Sequence, residues 1–174
     1  MTNRPESENP DVGGSFDTYW HGLDEAGAFA VEAVTHPSIL AFWIQFFKSV
    51  RTTYQAPRML DLASGNGAVV DKAYAVFEND PFTIRCVDIS EAAIRHLTRR
   101  FPDVDGVVGD VRSLSTGSSG FDIVTSQFGV EYAGWETVAD AARFLAPGGT
   151  LAITLHEPAV RRRGLDGQER VHET

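Results

Sequence analysis

The sequence predicts an α/β protein: a doubly wound, mainly parallel sheet of about five strands in the order 3-2-1-4-5, with helices on both faces and helices ahead of it. Three observations carry that expectation. From Arg58 onward, short apolar runs alternate with stretches of helical periodicity, and that alternation implies right-handed crossovers and parallel pairing. The runs are apolar almost without break, as strands covered on both faces must be. Glycines and acids recur where the runs end, the place where such a sheet binds ligands.

Each element follows in order. Residues 1–15 are polar and rich in Pro and Gly and are expected to be flexible. Residues 16–57 read as a helical lid segment. Within it Ile39, Leu40, Phe42, Trp43, Phe46, Phe47 and Val50 recur at three- and four-residue steps, and Pro37 suits a first helical turn. The domain proper is expected over 58–157, with strands at 58–64, 83–90, 106–110, 121–127 and 149–157. Between them, Val69, Val70, Ala73, Val76 and Phe77 share one helical face, and Ala93, Ile94, Leu97 and Phe101 share another, capped by Ser90. A third face comprises Trp135, Val138, Ala142 and Leu145, stopped by Pro147-Gly148-Gly149. Residues 115–120 (STGSSG) read as an exposed loop and 158–174 as a polar tail.

Composition narrows the partners. A chain of 174 residues suffices for one domain with a real core. Its net charge of −9 argues against nucleic acid or an anionic membrane, both of which reward a basic surface. The only basic cluster, Arg161-Arg162-Arg163, reads as a solvated part of the tail. Cys86 is the single cysteine, so neither an intrachain disulfide nor a cysteine-rich zinc site can form, and its apolar setting predicts a buried structural thiol. No metal site is expected. No apolar stretch is long enough for a membrane span and the N-terminus lacks a signal-peptide core, so a cytoplasmic address is expected.

The chemistry lies in what the strand ends deliver. Gly65-Asn66-Gly67 follows the first strand, so backbone there can approach a ligand and turn into a helix N-terminus. Asp88 ends the second strand, 21 residues after Gly67, where an acid accepts ribose hydroxyls. Asp110 ends the third and can accept from an exocyclic amine. Ser126, Gln127 and Phe128 end the fourth. Each residue also has a structural reading: Asp61 can tie down a loop, Asp88 can cap a helix, and Asp110 can form a turn. A dinucleotide fingerprint requires a third glycine, and Val70 stands there instead, so a nicotinamide-dependent oxidoreductase is disfavoured. A phosphate-binding loop fails as well, for no Gly-Lys-Ser/Thr follows.

In order and spacing, MLDLASGNGAVV, CVDIS, VVGDV, FDIVTSQFGVEY and RFLAPGGTLAITLHE resemble the successive motifs of class I S-adenosylmethionine-dependent methyltransferases over about residues 58–157. The resemblance implies S-adenosyl-L-methionine as cofactor. Asp61 and the backbone of Ala63, Ser64, Gly65 and Gly67 would receive its methionine portion, and Asp88 its ribose. Ile89 would pack on the adenine, Asp110 with Val111 would recognise the adenine edge, and Gln127 and Phe128 would lie beside both. FDTYWHGLD resembles a lid, with Tyr19 a cofactor contact.

Ala63 stands where that family usually has its first loop glycine, a change expected to cost little if φ stays negative there. The family's sheet normally continues for two more strands, which 158–174 does not supply. Either a shortened form is therefore expected, or a second copy, another chain or the N-terminal helices cover the fifth-strand edge. Candidate bases for methyl transfer are Glu131 and Tyr132 after strand four and His156 with Glu157 after strand five, each with a structural reading alongside. The function expected is methyl transfer to a small-molecule acceptor; the alternative is a catalytically impaired cofactor-binding or assembly module. No Asn/Asp-Pro-Pro-Tyr/Phe motif of base-methylating enzymes follows strand four.

Overall fold

A computed structural model describes residues 36–114 and 120–156, together with Gly14 and Thr18. The expectations for the first fifteen residues, most of the lid segment and the polar tail lie outside the described residues, as do Tyr19 and Glu157. The described elements are α1 (Pro37–Thr53), β1 (Arg58–Leu62), α2 (Ala68–Phe77), β2 (Thr83–Asp88), α3 (Glu91–Arg100), β3 (Asp105–Val108), β4 (Phe121–Gln127), α4 (Trp135–Asp140) and β5 (Leu145–Thr154). Short 3₁₀ turns cover Val111–Ser113, Val130–Ala133 and Ala141–Phe144.

The five strands pair in parallel in the order β3-β2-β1-β4-β5, as the sequence predicts. Adjacent strand residues face opposite sides, and the core divides accordingly. Met59, Cys86 and Ile123 join a layer with Trp43 and Phe47 of α1, Val70, Ala73 and Phe77 of α2, and Leu97 of α3. Leu60, Val87 and Val124 join the opposite layer with Val111, Val130, Ala141 and Phe144. A strand covered on both faces has no position to leave polar, which explains the unbroken apolar runs. Cys86 is fully buried, as expected, and burial pushes its thiol well above the ordinary range.

The local signals act as read. Pro37 begins α1, and Ser90 caps α3 by accepting from the Ala93 amide at 3.1 Å. The last helix differs from expectation. Its periodicity breaks after Asp140 into a 3₁₀ turn, so Val138, Ala141 and Phe144 face the core at three-residue steps, while Ala142 and Trp135 are exposed. Pro147-Gly148-Gly149 does not simply follow a helix. It is an irregularity inside β5: pairing jumps from Phe121↔Leu145 to Ile123↔Thr150, five steps on β5 against two on β4. Gly148 is left-handed at φ 81°, and a Cβ on Gly149 would lie 3.0 Å from the Phe121 carbonyl. β5 forms one edge of the described sheet.

The loop after β1 carries the main correction. Ala63, Gly65 and Gly67 alternate in the left-handed region at φ 51°, 52° and 89°. Ala63 is therefore not at negative φ; its Cβ bears a cost of about 1 kcal/mol that the neighbouring glycines avoid. The strand-four loop has adapted to that methyl group. A Cβ built on Gly129 would fall 2.5 Å from the Ala63 Cβ and 3.0 Å from its carbonyl oxygen. Gly129 has φ −141° and ψ −48°, so it is not in the left-handed region, and the clash is what opposes a side chain there. Replacing Gly129 by Ala is expected to destabilise the protein by about 1–3 kcal/mol in urea unfolding, and Ala63→Gly in the same chain to restore part of that loss. Additive effects in the double-mutant cycle would contradict the contact.

Candidate functional site

The strand order reverses between β1 and β4, and the groups singled out in the sequence gather around that point. Asp88 joins two of the segments. Its Oδ2 accepts from the Gly65 amide at 2.8 Å and its Oδ1 from the Ser90 amide at 2.9 Å. The β1 loop and the turn into α3 thus hang on one carboxylate, itself 7% exposed. Ser64 donates its amide to the Val87 carbonyl, and the Gly67 amide closes the turn on the Ser64 carbonyl. Ile89, partly buried, follows directly.

Asp61 is completely buried at the carboxyl end of β1, opposite Thr125 of β4, whose hydroxyl donates to Oδ1 at 2.7 Å. Its other oxygen, Oδ2, has no hydrogen-bond partner. Burial is the main cause that raises this carboxyl group to about 7; the Thr125 hydrogen bond opposes the rise and the charge of Asp88 adds to it. Ser126 Oγ of β4 and Thr154 Oγ1 of β5 are likewise buried without partners. Unpaired polar atoms are costly inside a protein, and three of them at adjoining strand ends mark a place for a polar ligand.

Asp110 stands after β3, as predicted, but its carboxylate is taken up by Arg112. Oδ1 accepts from the Arg112 amide at 2.8 Å, and both oxygens accept from the guanidinium. Those bonds hold the Asp110 carboxyl below its ordinary range. Val111 is buried in the second core layer. At the end of β4, the Gln127 side-chain carbonyl accepts from the Trp43 indole, which fastens α1 to the site. Phe128 is left-handed at φ 53°, and its ring stacks on His156 with centroids 4.3 Å apart.

Three of the four base candidates, Glu131, Tyr132 and His156, converge. Glu131, wholly buried in the turn after β4, accepts at Oε1 from the His156 amide at 3.2 Å and meets the imidazole Nδ1 at 3.0 Å. Tyr132 lies edge-on to the same imidazole, 6.0 Å between centroids. Among the described residues no group of His, Cys, Asp and Glu side chains could hold a metal ion.

Sequence reasoning missed four residues that complete this region. Trp43 reads as one more apolar residue of α1, although a buried indole N–H needs an acceptor and so announces a polar neighbour. Thr125 in an otherwise apolar strand is the matching sign for Asp61. Arg112 and Gly129 give no signal, since their roles depend on contacts made only in the fold.

The sequence model of a methyltransferase domain matches residues 59–149, just over half the chain. The chain belongs to that family. A demethylmenaquinone methyltransferase of Renibacterium salmoninarum is 29% identical over 98 residues, 55% of this chain and 40% of the relative. Solved structures confirm the fold. The plantazolicin methyltransferase BpumL, in complex with a pentazolic desmethylPZN analog and SAH, has a TM-score of 0.62 at 14% identity, over 89% of this chain and 62% of its own. A TehB-like SAM-dependent methyltransferase from Corynebacterium glutamicum has a TM-score of 0.54 at 19% identity, over 94% and 84%. The chain thus spans about two fifths of the curated relative and three fifths of the first of these structures.

Asp61 predicts a pH dependence. Its folded value of about 7 lies above the ordinary 3.8, so between these limits the unfolded chain has lost the proton that the native state keeps. The contribution of Asp61 to stability therefore falls as pH rises through that window and is constant above it. Relative to wild type, Asp61→Asn is expected to gain on the order of a few kcal/mol from low to neutral pH, read from urea midpoints. A difference independent of pH would contradict the assignment.

Proposed function

We propose that this methyltransferase domain binds S-adenosyl-L-methionine across the carboxyl ends of β1, β2 and β4 and transfers a methyl group to a small-molecule acceptor. The observation that carries the reading is the partnerless Oδ2 of Asp61, a fully buried acceptor beside a loop of left-handed residues. An ammonium group, such as the methionine portion of that cofactor bears, would satisfy it. The amides of Ser64, Gly65 and Gly67 donate within the protein, so the loop's part is the close backbone approach that its glycines allow. Asp88 keeps further acceptor capacity for two ribose hydroxyls, because each carboxylate oxygen has more than one lone-pair site. In this reading Ile89 packs on the adenine and Asp110 with Val111 faces its edge, with Gln127 and Phe128 on the other side. Tyr19 remains a proposed contact.

The cofactor supplies an electrophilic methyl group on a sulfonium, so the protein's work is alignment and the exclusion of water. A nicotinamide dinucleotide is disfavoured by Val70, fully buried where close helix packing would need glycine. The net charge of −9 favours a small acceptor over nucleic acid. No helix among the described residues is long and apolar enough to cross a membrane, and the free, buried Cys86 suits the reducing cytoplasm that we propose as its compartment. The described sheet ends at β5, and coverage of that edge by a second copy or another partner belongs to the same proposal. An alternative reading, a binding module without turnover, differs only in the product assay.

Calorimetry tests the reading. S-adenosylhomocysteine should bind and NAD should not. Asp88→Ala should weaken binding at least about tenfold, the loss of hydrogen bonds to a charged group. Affinity should rise with pH through about 7, because a cationic ammonium must displace the Asp61 proton, and Asp61→Asn should abolish that rise. Binding of NAD alone would overturn the proposal.

A further inference from the structure

We infer that His156 accepts the proton of the methyl acceptor, that Glu131 positions it for this, and that the acceptor is a hydroxyl. The inference rests on the methyltransferase reading above and adds the acceptor chemistry.

The geometry begins with Glu131. A carboxylate buried to 0% exposure needs donors, and it meets two from one residue, the His156 amide at 3.2 Å and the imidazole Nδ1 at 3.0 Å. An ionised carboxylate only accepts, so the ring proton lies on Nδ1. That fixes the tautomer and leaves Nε2 with its lone pair. Nε2 has no hydrogen-bond partner among the described residues, and the side chain is 23% exposed. Phe128 stacked on the imidazole and Tyr132 at its edge hold the ring plane.

Position supports the role. The backbone of Gly129 lies against Ala63, so the Phe128–His156 stack is one residue removed from the loop after β1. The other acids of the site are committed elsewhere: Asp61 is buried and bound by Thr125, Asp88 holds two backbone amides, and Asp110 is paired with Arg112. Among the described residues, His156 is the one that offers an open, basic lone pair beside that loop.

A base is useful only where the acceptor must lose a proton, which points to a hydroxyl acceptor. The hydroxyl proton passes to Nε2 while the oxygen keeps the electron pair that forms the new O–C bond. The methyl arrives without an electron pair, that of the broken C–S bond staying on sulfur, so a neutral hydroxyl becomes a neutral ether. The imidazolium is stabilised by Glu131 and returns its proton to water.

Nitrogen-15 NMR of the imidazole tests this on the full chain. About two pH units above the ordinary imidazole value, Nδ1 of His156 should be protonated and Nε2 not. With S-adenosylhomocysteine present, 1-naphthol should shift the Nε2 resonance, while 1-methoxynaphthalene, which lacks the donor, should not. Glu131→Gln, whose amide can donate to Nδ1, should move the proton to Nε2 and abolish the naphthol shift. His156→Gln should bind S-adenosylhomocysteine as the wild type does, yet lose about 10²–10⁴-fold in methylation of 1-naphthol. A protonated Nε2 in the wild type, an equal response to both naphthalenes, or no response to naphthol would overturn the inference. Should S-adenosylhomocysteine itself fail to bind the wild type, the methyltransferase reading falls instead; binding together with the wrong tautomer removes only the role of His156.

Discussion

The carboxylate of Asp88 is the constraint on which the site depends. It is nearly buried, and it spends one oxygen on the amide of Gly65 and the other on that of Ser90. The first bond fixes the loop after β1, where three residues adopt left-handed conformations that no regular ladder would satisfy. The second supports the turn whose Ser90 hydroxyl caps α3. Two separate segments, the loop at Gly65 and the turn at Ser90, are therefore referenced to one group on an interior strand. A rigid strand end is a better origin for a binding site than either loop alone, because its own position is set by pairing on both sides.

From that origin the polar groups divide by how completely the fold satisfies them. Asp88, Asp110 and Gln127 all have partners within the protein, so each can help a ligand only by adding bonds or exchanging them. Asp61 differs, since one of its oxygens is left unsatisfied and burial holds its proton to about neutral pH. A buried carboxyl group in that condition lowers stability in exchange for a site, the pattern expected of functional rather than structural acids. Ser126 and Thr154, each with a buried hydroxyl oxygen lacking a partner, extend the same pattern along β4 and β5.

Much of this was legible in the sequence because it rests on local rules. Strand and helix periods, the Ser90 cap, Pro37 at a first turn, the parallel pairing and the acids at strand ends all follow from residue type and spacing, and the sheet order agrees with the family resemblance. What failed depended on contacts between distant segments. The turn after Asp140 tightens to three residues per turn, and that shifts the buried face by one position, so Ala141 replaces Ala142 in the core. Alanine prefers an ordinary backbone, yet Ala63 takes the left-handed form in a loop whose neighbouring amides bond to Val87, Asp88 and Ser64. The grouping of Glu131, Tyr132 and His156 was invisible, although each was named, since β5 lies far along the chain from β4 while pairing with it directly.

The pairing of β4 with β5 has a chemical consequence. Gln127 aligns with Thr154, and the Phe128 amide donates to the Thr154 carbonyl at 2.9 Å. The chains then part, one into the turn that holds Glu131 and the other into His156, so the two strands deliver an acid and an imidazole at hydrogen-bond distance. The irregularity at Pro147-Gly148-Gly149 matters for this. The three extra steps it absorbs set which β5 residue reaches the end of β4; a register shifted by one would send the side chain of His156 to the opposite face of the sheet, away from Glu131. A glycine-rich stretch that reads in the sequence as punctuation thus determines, some seven residues later, which side chain meets the carboxylate.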